Sequence, residues 1–440
     1  MPSEARACAC AVVGRALADG AYVDRALRSH ARALTPRERA QAKRLAFGAI
    51  QRRGTLEHLI VGLAQRPVER LDWHVRAALL LGLYELLYAD GAPDRAVVSD
   101  AVELAKQAGR GGHGLVNAVL RRAAREGRSL LEDLREDTPA AAAVKHSHPP
   151  WLAALWWEQL GAERARALMA AGNEPGEQAL RANTLIADAA TLARELAPVA
   201  SHLDGLIPEA VVLEGPFDAH GSSLWRRGAF LAQSRAAMLA SRLLGPEPGE
   251  RTLDLCAGPG GKSTHLAALT GGKGEVVAVE RDRRRAGALA RTAQRLHAAN
   301  VRVEVADAAA PRGGDDLFER VLVDPPCSGL GTLQAHPDLR WRMTPARIEE
   351  LVGEQARILA AGADAVRPGG VLVYSTCTIS ASENERQIAT FLDAHPEFGL
   401  DDLRAECSRY GNPRSPETVL TLPDRDGTAG FFVARLRREG

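Results

Sequence analysis

Two cysteines stand in segments whose residue types suit chemistry. Asp324-Pro325-Pro326-Cys327-Ser328-Gly329 follows the apolar run Arg320 to Val323, and Tyr374-Ser375-Thr376-Cys377-Thr378 ends the run Val371 to Tyr374. A thiol can act as a nucleophile, and a second thiol beside it can serve as base or release partner. Free cysteine is also a common small core residue, so either one alone carries little meaning. A third segment gives the pair a context. Asp254-Leu255-Cys256-Ala257-Gly258-Pro259-Gly260-Gly261-Lys262-Ser263 joins the strand-like run Arg251 to Cys256 to a helical pattern over about Lys262–Leu269. Glycine lets backbone approach a ligand closely, and a helix N-terminus offers free N–H groups.

Two ligand classes compete for that loop. Gly261-Lys262-Ser263 ends like a phosphate-binding P-loop, but Cys256 stands where that motif opens with glycine, and no clear magnesium aspartate follows. An adenosyl cofactor instead needs an acid at the end of the second strand, about 20 positions on, to hold ribose hydroxyls. Glu280 stands there, after Val276-Val277-Ala278-Val279. Asp307 follows the third strand, where it can meet an adenine amino group. Loop, Glu280 and Asp307, in that order, point to S-adenosylmethionine (AdoMet). A methyl donor beside two thiols suits methylation at C5 of a pyrimidine, a poor nucleophile in its aromatic ring. A thiolate adding at C6 makes C5 enamine-like; C5 then loses its proton and the sulfur is expelled. Asp324 can bond the cytosine N3/N4 edge and favour protonation at N3. An amine methyltransferase commonly has an aromatic residue where Cys327 stands. On the residues alone, either cysteine can be the nucleophile.

These groups need a scaffold. From about residue 250, strand patterns (Arg251–Cys256, Glu275–Val279, Val301–Val305, Arg320–Val323, Val371–Tyr374) alternate with helix patterns over about 262–269, 282–298, 345–366 and 383–394. That is an α/β doubly wound, Rossmann-like parallel sheet, with ligands beyond the carboxyl ends of its strands. Residues 1–140 read as an all-α bundle. Thr35-Pro36-Arg37-Glu38 is a capping box, and Leu45, Ile50, Leu56, Leu59, Ile60 and Leu63 recur at helical spacing. Further helices follow over about 72–88, 96–108 and 114–124. Asp137 to Pro150 reads as a connection, and 141–235 as a small α/β subdomain with strands at Leu180–Leu185 and Ala210–Leu213. The catalytic domain is then 236–440.

Length bounds this reading: 440 residues suit two or three domains. The net charge of +1 hides an excess of 23 basic over 17 acidic residues in 1–150, mostly Arg, which suits a polyanion without proving one. Arg52, Arg53, Arg121 and Arg122 are candidate phosphate contacts, and His113 a weaker RNA contact. Six cysteines without a C-x-x-C pair argue against both a disulfide scaffold and a zinc site. Cys8, Cys10 and Cys407 read as structural. His146 and His148, before prolines, have the bland loop reading over a metal one. Trp151, Trp156 and Trp157 read as packing rather than base-stacking residues. The polar start Met1 to Arg6 does not read as a signal peptide, and the apolar run Ala77–Ala89 is too short for a bilayer and carries Glu85. A cytoplasmic chain without metal or membrane, and a monomer, are expected.

The loop Cys256–Lys262, the Asp324–Gly329 segment and Ser375-Thr376-Cys377 together resemble the RNA 5-methylcytosine methyltransferases (NOL1/NOP2/Sun family). His336 to Trp341, Asp426 to Phe432, Leu180 to Leu185 and Gly228 to Ser234 match it too. The first 130 or so residues resemble the helical NusB domain, an RNA-binding module. The fusion resembles bacterial small-subunit (16S) rRNA cytosine-C5 methyltransferases over essentially the whole chain. The resemblance implies Cys377 as nucleophile and Cys327 as release partner. It also implies cofactor binding by Cys256, Ala257, Gly258, Pro259, Gly260, Gly261, Lys262, Glu280, Asp307 and Asp324. Lys262 is a further candidate for the chemistry. Glu280 stands where Asp is usual, Ser234 where Asp often follows Gln233, and Ala429 where an acid is common. The competing readings are a C5-methyltransferase for tRNA or 23S rRNA, a silent RNA-binding assembly factor, and a DNA cytosine methyltransferase, which would leave Cys377 idle.

Overall fold

The computed structural model describes residues 1–109, 111–197, 199–310 and 317–440. The chain divides into two compact units: Met1–Glu174 with Leu333–Met343, and Pro175–Thr332 with Thr344–Gly440.

The first unit is helical: α1 (Glu4–Ala18), α2 (Val23–His30), α3 (Pro36–Gln51), α4 (Arg53–Ala64), α5 (Trp73–Tyr88), α6 (Asp94–Gln107), α7 (His113–Glu132), α8 (Pro139–Lys145), α9 (Pro150–Leu160) and α10 (Ala162–Ala171). The capping box forms: Thr35 Oγ1 accepts from Glu38 N–H and the Glu38 carboxylate accepts from Thr35 N–H. The single apolar run of the sequence splits at Arg52, between α3 and α4. Helical spacing persists across that turn, so periodicity alone cannot reveal it. The helix α5 buries Leu79, Leu80, Leu81 and Leu83 on successive sides, as the middle helix of a bundle must. Its buried Glu85 is answered by Arg6, whose guanidinium reaches both carboxylate oxygens and also Asp100. Among the described residues, no helix is long and apolar enough to cross a membrane.

One expectation changes here. Asp137–Pro150 is not a bare connection: Thr138 caps α8, Pro139 takes its first turn and the alanine run completes it. The compact unit that opens at Met1 extends to Glu174. Trp156, in α9, is buried against His148, so it packs rather than stacks on bases. Leu333–Met343, with the short α16 (Leu339–Arg342), is built into this same unit. There Arg340 is fully buried and donates to the carbonyls of Ser147 and Gly172 and to Asn173 Oδ1 at 2.8–3.0 Å. Trp341 donates its indole N–H to the Ile50 carbonyl.

The second unit opens with a small antiparallel sheet. Its strands are β1 (Gln178–Ala182), β2 (Ser201–Leu203), β3 (Ala210–Leu213) and β4 (Phe230–Ala232), in the order β2-β3-β1-β4. Two helices accompany it, α11 (Ala189–Glu195) and α12 (Ser223–Arg226), over a core that includes Leu180, Leu192, Val211 and Phe230. After α13 (Arg235–Leu244) comes the large sheet: β5 (Arg251–Leu255), β6 (Glu275–Val279), β7 (Val301–Glu304), β8 (Phe318–Val323) and β9 (Val366–Thr376). These five are mutually parallel in the order β7-β6-β5-β8-β9. Helices α14 (Gly261–Leu269), α15 (Arg283–Arg295), α17 (Pro345–Asp364) and α18 (Glu385–Ala394) provide the crossovers. The sheet is completed by β10 (Phe398–Leu400), β11 (Val419–Thr421) and, after α19 (Pro423–Asp426), β12 (Phe431–Arg438). Strand β12 pairs antiparallel with β9, so the parallel core has an antiparallel flank. Strand β9 is longer than the expected 371–374 because Val366 already pairs with Phe318 ahead of a register shift. The chain order reverses between β5 and β8, and the crevice beyond their carboxyl ends is where such sheets take ligands.

Candidate functional site

Strand β5 delivers the glycine loop to that crevice. Cys256 adopts φ 64° and Gly260 φ 101°, and the Gly258–Pro259 peptide is cis. Ala257 N–H is donated to the Val279 carbonyl, which holds the loop on β6. Gly261 and Lys262 begin α14. The loop is also clamped from below. Buried Arg181, from β1, donates to the Gly261 carbonyl, to Gln233 Oε1 (2.7 Å) and to Thr264 Oγ1 (2.9 Å).

Glu280 follows β6 and is buried; it accepts from Gly258 N–H (3.2 Å) and Asp282 N–H (2.9 Å). Asp307 follows β7 and accepts from Ala309 N–H. Asp324 follows β8. It bonds the Lys262 ammonium at 2.6 Å and the Ser375 hydroxyl at 3.2 Å. Burial disfavours the Lys262 cation, yet the charge and hydrogen bond of Asp324, with Cys377 and Asp254 beside it, together hold the ammonium above its ordinary range. The same lysine lies 5.3 Å from the centre of the Phe431 ring. A P-loop lysine must be free for phosphate; this one is committed to a carboxylate.

The two sulfurs meet. Cys327 Sγ and Cys377 Sγ are 3.2 Å apart, although 50 residues separate them in sequence. Adjacent parallel strands β8 and β9 carry them to one edge. The Cys377 contact, then burial and the nearby Glu383 and Asp324 charges, push the Cys327 thiol well up. A cavity of about 220 Å³ is lined by Cys256, Gly258, Glu280, Asp307, Asp324, Cys327 and Cys377. A second, of about 240 Å³, opens on Ala257, Gly258, Pro259, Gly261, Lys262 and Asp324. All the candidate site residues except Gly260 thus line one of two adjoining cavities.

Sequence reasoning passed over several groups here. Arg285 donates to the Gly258 carbonyl at 2.6 Å and pairs with Glu280. Asp254 is fully buried, accepts from Ser263 Oγ (2.6 Å) on one oxygen, and has no partner on the other. Burial, and then Asp324, raise its carboxyl to about 7. Glu383, fully buried, binds the segments that follow both cysteines. A lone charge in an apolar stretch is the available sequence signal for Asp254, whereas Glu383 stands among polar residues and carries none. Ser234 does the capping that an Asp would do, accepting from Ala237 N–H.

Other candidates lie outside the crevice. Arg53 pairs with Glu57, Arg122 with Glu126, and Arg52 lies over the Tyr88 ring; Arg121 is exposed. His113 starts α7. His146 bonds Glu136, and no cluster that could hold a metal occurs among the described residues. Cys8 and Cys407 are buried and Cys10 partly so.

Comparison with known proteins agrees with this architecture. Residues 241–437 match the model for the 16S rRNA methyltransferase RsmB/F, residues 3–125 that for the NusB family, and residues 148–220 that for a ferredoxin-like domain of RsmF/B-like methyltransferases. The chain is 35% identical, over 94% of each chain, to the probable ribosomal RNA small subunit methyltransferase B of Synechocystis sp.. It is 37% identical to the ribosomal RNA small subunit methyltransferase B of Thermus thermophilus, over 94% of this chain and 92% of that one. A solved methyltransferase homologue from Pyrococcus horikoshii, 26% identical, superposes with a TM-score of 0.61 over 69% of this chain and all of its own. With its glycine loop, paired thiols and helical N-terminal domain, the chain belongs to the RsmB/F family of rRNA methyltransferases.

Proposed function

We propose that this chain transfers a methyl group from AdoMet to C5 of a cytidine in small-subunit (16S) rRNA, through a covalent bond from Cys377 to C6 of the base. The observation that carries this reading is the pair of sulfurs 3.2 Å apart beside Lys262 and Asp324. A nitrogen or oxygen acceptor brings its own lone pair; an aromatic carbon needs a nucleophile to activate it. The relatives named as small-subunit rRNA methyltransferases support the substrate.

The cavity fits the cofactor. A Cβ at Gly258 would lie 2.4 Å from Glu280 Oε2, so bare backbone forms the wall there. Glu280 offers a carboxylate to a ribose diol and Asp307 one to an adenine amine, with Pro326 and Ile358 as apolar lining. Cys256–Lys262 would hold the methionine end. When bound, AdoMet supplies an electrophilic methyl group.

The chain's own residues do the rest. Cys377 adds as thiolate to C6, and the C5–C6 π electrons move onto the ring. Asp324, held by Lys262 and Ser375, takes the N3/N4 edge while N3 gains a proton from water. Once C5 is methylated, its proton passes to the sulfur of Cys327, whose thiol has first released its own proton to water. The C5–C6 double bond re-forms, the N3 proton returns to water and Cys377 leaves as thiolate. The high proton affinity of Cys327 suits it to accept that proton.

The target base must leave its stack, so single-stranded or loop RNA is the accessible substrate. The test uses Cys327→Ala and Cys377→Ala with AdoMet and unmodified 16S rRNA. Cys327→Ala accumulates a protein–RNA adduct that survives denaturation, and Cys377→Ala forms none. The reverse pattern exchanges the roles; wild-type transfer with no adduct in either variant refutes the covalent route.

A further inference from the structure

Behind the two thiols lies a carboxylate that the reaction as written does not use. Glu383 is fully buried, in the segment between Cys377 and α18. Its Oε1 accepts from Ser328 N–H at 2.8 Å and from Gln355 Nε2 at 3.1 Å. Its Oε2 accepts from the hydroxyls of Ser328 at 2.6 Å and Thr378 at 3.2 Å. Ser328 follows Cys327 and Thr378 follows Cys377, and their own hydroxyls are 2.7 Å apart. One carboxylate thus ties together the two segments that carry the sulfurs.

The partners also dictate the chemistry of the knot. A backbone N–H and an amide nitrogen meet one oxygen, and two hydroxyls meet the other. An ionised carboxylate is acceptor-only and satisfies all of them; a glutamine side chain must turn its NH₂ toward donors on one side. A neutral isostere therefore removes the charge and makes the two hydroxyls accept instead of donate, whereas an aspartate keeps the charge at shorter reach. The remaining neighbours pin the same segment. Tyr374 OH donates to the Glu383 carbonyl, and Asn384 accepts from Thr376 Oγ1 and donates to the Thr378 carbonyl.

We infer that Glu383 is a positioning residue for the release step: its carboxylate fixes Ser328 and Thr378, and through them holds Cys327 where it takes the C5 proton. The inference rests on the reading of Cys377 as nucleophile and Cys327 as release partner. In that step the C5–H bond breaks and an S–H bond forms on Cys327. The C6–S bond to Cys377 breaks with its electron pair returning to sulfur, and C5–C6 becomes double again. A carboxylate behind Cys327 also strengthens that sulfur as a proton acceptor, in the direction its charge requires.

The experiment compares Glu383→Gln and Glu383→Asp with wild type in two assays. The first, without RNA, follows iodoacetamide alkylation of each cysteine across a pH series by peptide mass spectrometry. The second follows methyl transfer and denaturation-resistant adduct on 16S rRNA. Glu383→Gln moves the Cys327 alkylation curve to lower pH, slows transfer at least about tenfold and accumulates adduct; Glu383→Asp recovers part of both. A folded Glu383→Gln with an unchanged Cys327 curve and wild-type transfer overturns the inference. A slower transfer with no adduct and no shift in the curve also overturns it, because that is loss of packing alone. If Glu383→Gln does not fold, Ser328→Ala with Thr378→Val removes both hydroxyl donors and must slow transfer and accumulate adduct, and a wild-type rate without adduct overturns the inference. If wild type itself makes neither product nor adduct, the methylation reading fails, and the alkylation curves still decide whether Glu383 governs Cys327.

Discussion

The helical unit and the sheet unit place buried charge differently. In the helical unit, Glu85 is met by Arg6, and Arg6 by Asp100 as well. Even Arg340, with burial lowering it to about 9, is surrounded by carbonyl oxygens that fix its segment. At the carboxyl ends of β5, β8 and β9, four ionisable side chains crowd together. Lys262 meets Asp324, Asp254 keeps one oxygen unpaired, and Glu383 gathers neutral donors. Burying charge without full pairing costs free energy. Unpaired buried polar atoms occur in both units, Arg340 Nε and Asp254 Oδ1 among them, so it is the crowding of ionisable groups at these strand ends that marks the working edge of the molecule.

The comparison breaks most readily at its two ion pairs. Lys262→Met lowers methyl transfer to 16S rRNA by about a hundredfold or more, because Asp324 loses the cation that holds it. Arg6→Met instead costs about 3–5 kcal/mol of stability, as a buried carboxylate loses its partner. In folded protein at saturating rRNA, Arg6→Met leaves the single-turnover rate unchanged. Near-normal turnover in Lys262→Met would make both pairs mere struts.

The next effect is one of pH. Asp254 sits at about 7 in the folded chain, raised by burial and Asp324, against about 3.9 when unfolded. Between those values the folded state binds a proton that the unfolded state does not, so this group's contribution falls as pH rises. Asp254→Asn, neutral throughout, therefore gains on wild type from about pH 4 to about pH 7, by roughly 1.4 kcal/mol per unit of pKa difference. Denaturant unfolding at a series of pH values measures this; a constant offset between the two proteins refutes it. Glu209 is the opposite case in the same unit. Burial raises it, but His265 and Arg242 prevail and hold it at about 2. Its stabilisation is present above about pH 4.5 and is lost as pH falls toward 2.

Smaller effects belong to the helical surface. Arg37, Lys43 and Arg44 are exposed on α3. Reversing all three weakens rRNA binding and flattens its salt dependence, by about one unit of slope for each phosphate no longer neutralised. Arg122 is already paired with Glu126 on an exposed face, and Arg122→Ala changes stability by no more than about 0.5 kcal/mol. If Arg122→Ala lowered RNA affinity as far as the triple reversal, the division between paired and free arginines would fail.

Much of this is legible residue by residue. The capping box at Thr35–Glu38, the alternation of strands and helices after residue 250, and the acids at the ends of β6, β7 and β8 all follow from local pattern. The turn at Arg52 is not legible, because both sides keep the same apolar spacing. Helix α8 is hidden for another reason: its Thr-Pro cap and alanines look like a linker beside the proline pair. The phosphate contacts expected at Arg53 and Arg122 meet local carboxylates four residues on, a pairing the helix itself provides.

Residue order alone puts a glycine loop, two acids and two thiols on one sheet edge, because parallel strands joined by helices put all their carboxyl ends on the same side. It also makes most of the first unit a bundle, since its apolar residues recur at the helical period. Long-range packing sets the sulfurs 3.2 Å apart, brings Lys262 to Asp324 and lets Glu383 bind both cysteine segments. Those distances depend on register between β8 and β9 and on hydrogen bonds across 50 or more residues, which neither periodicity nor propensity encodes.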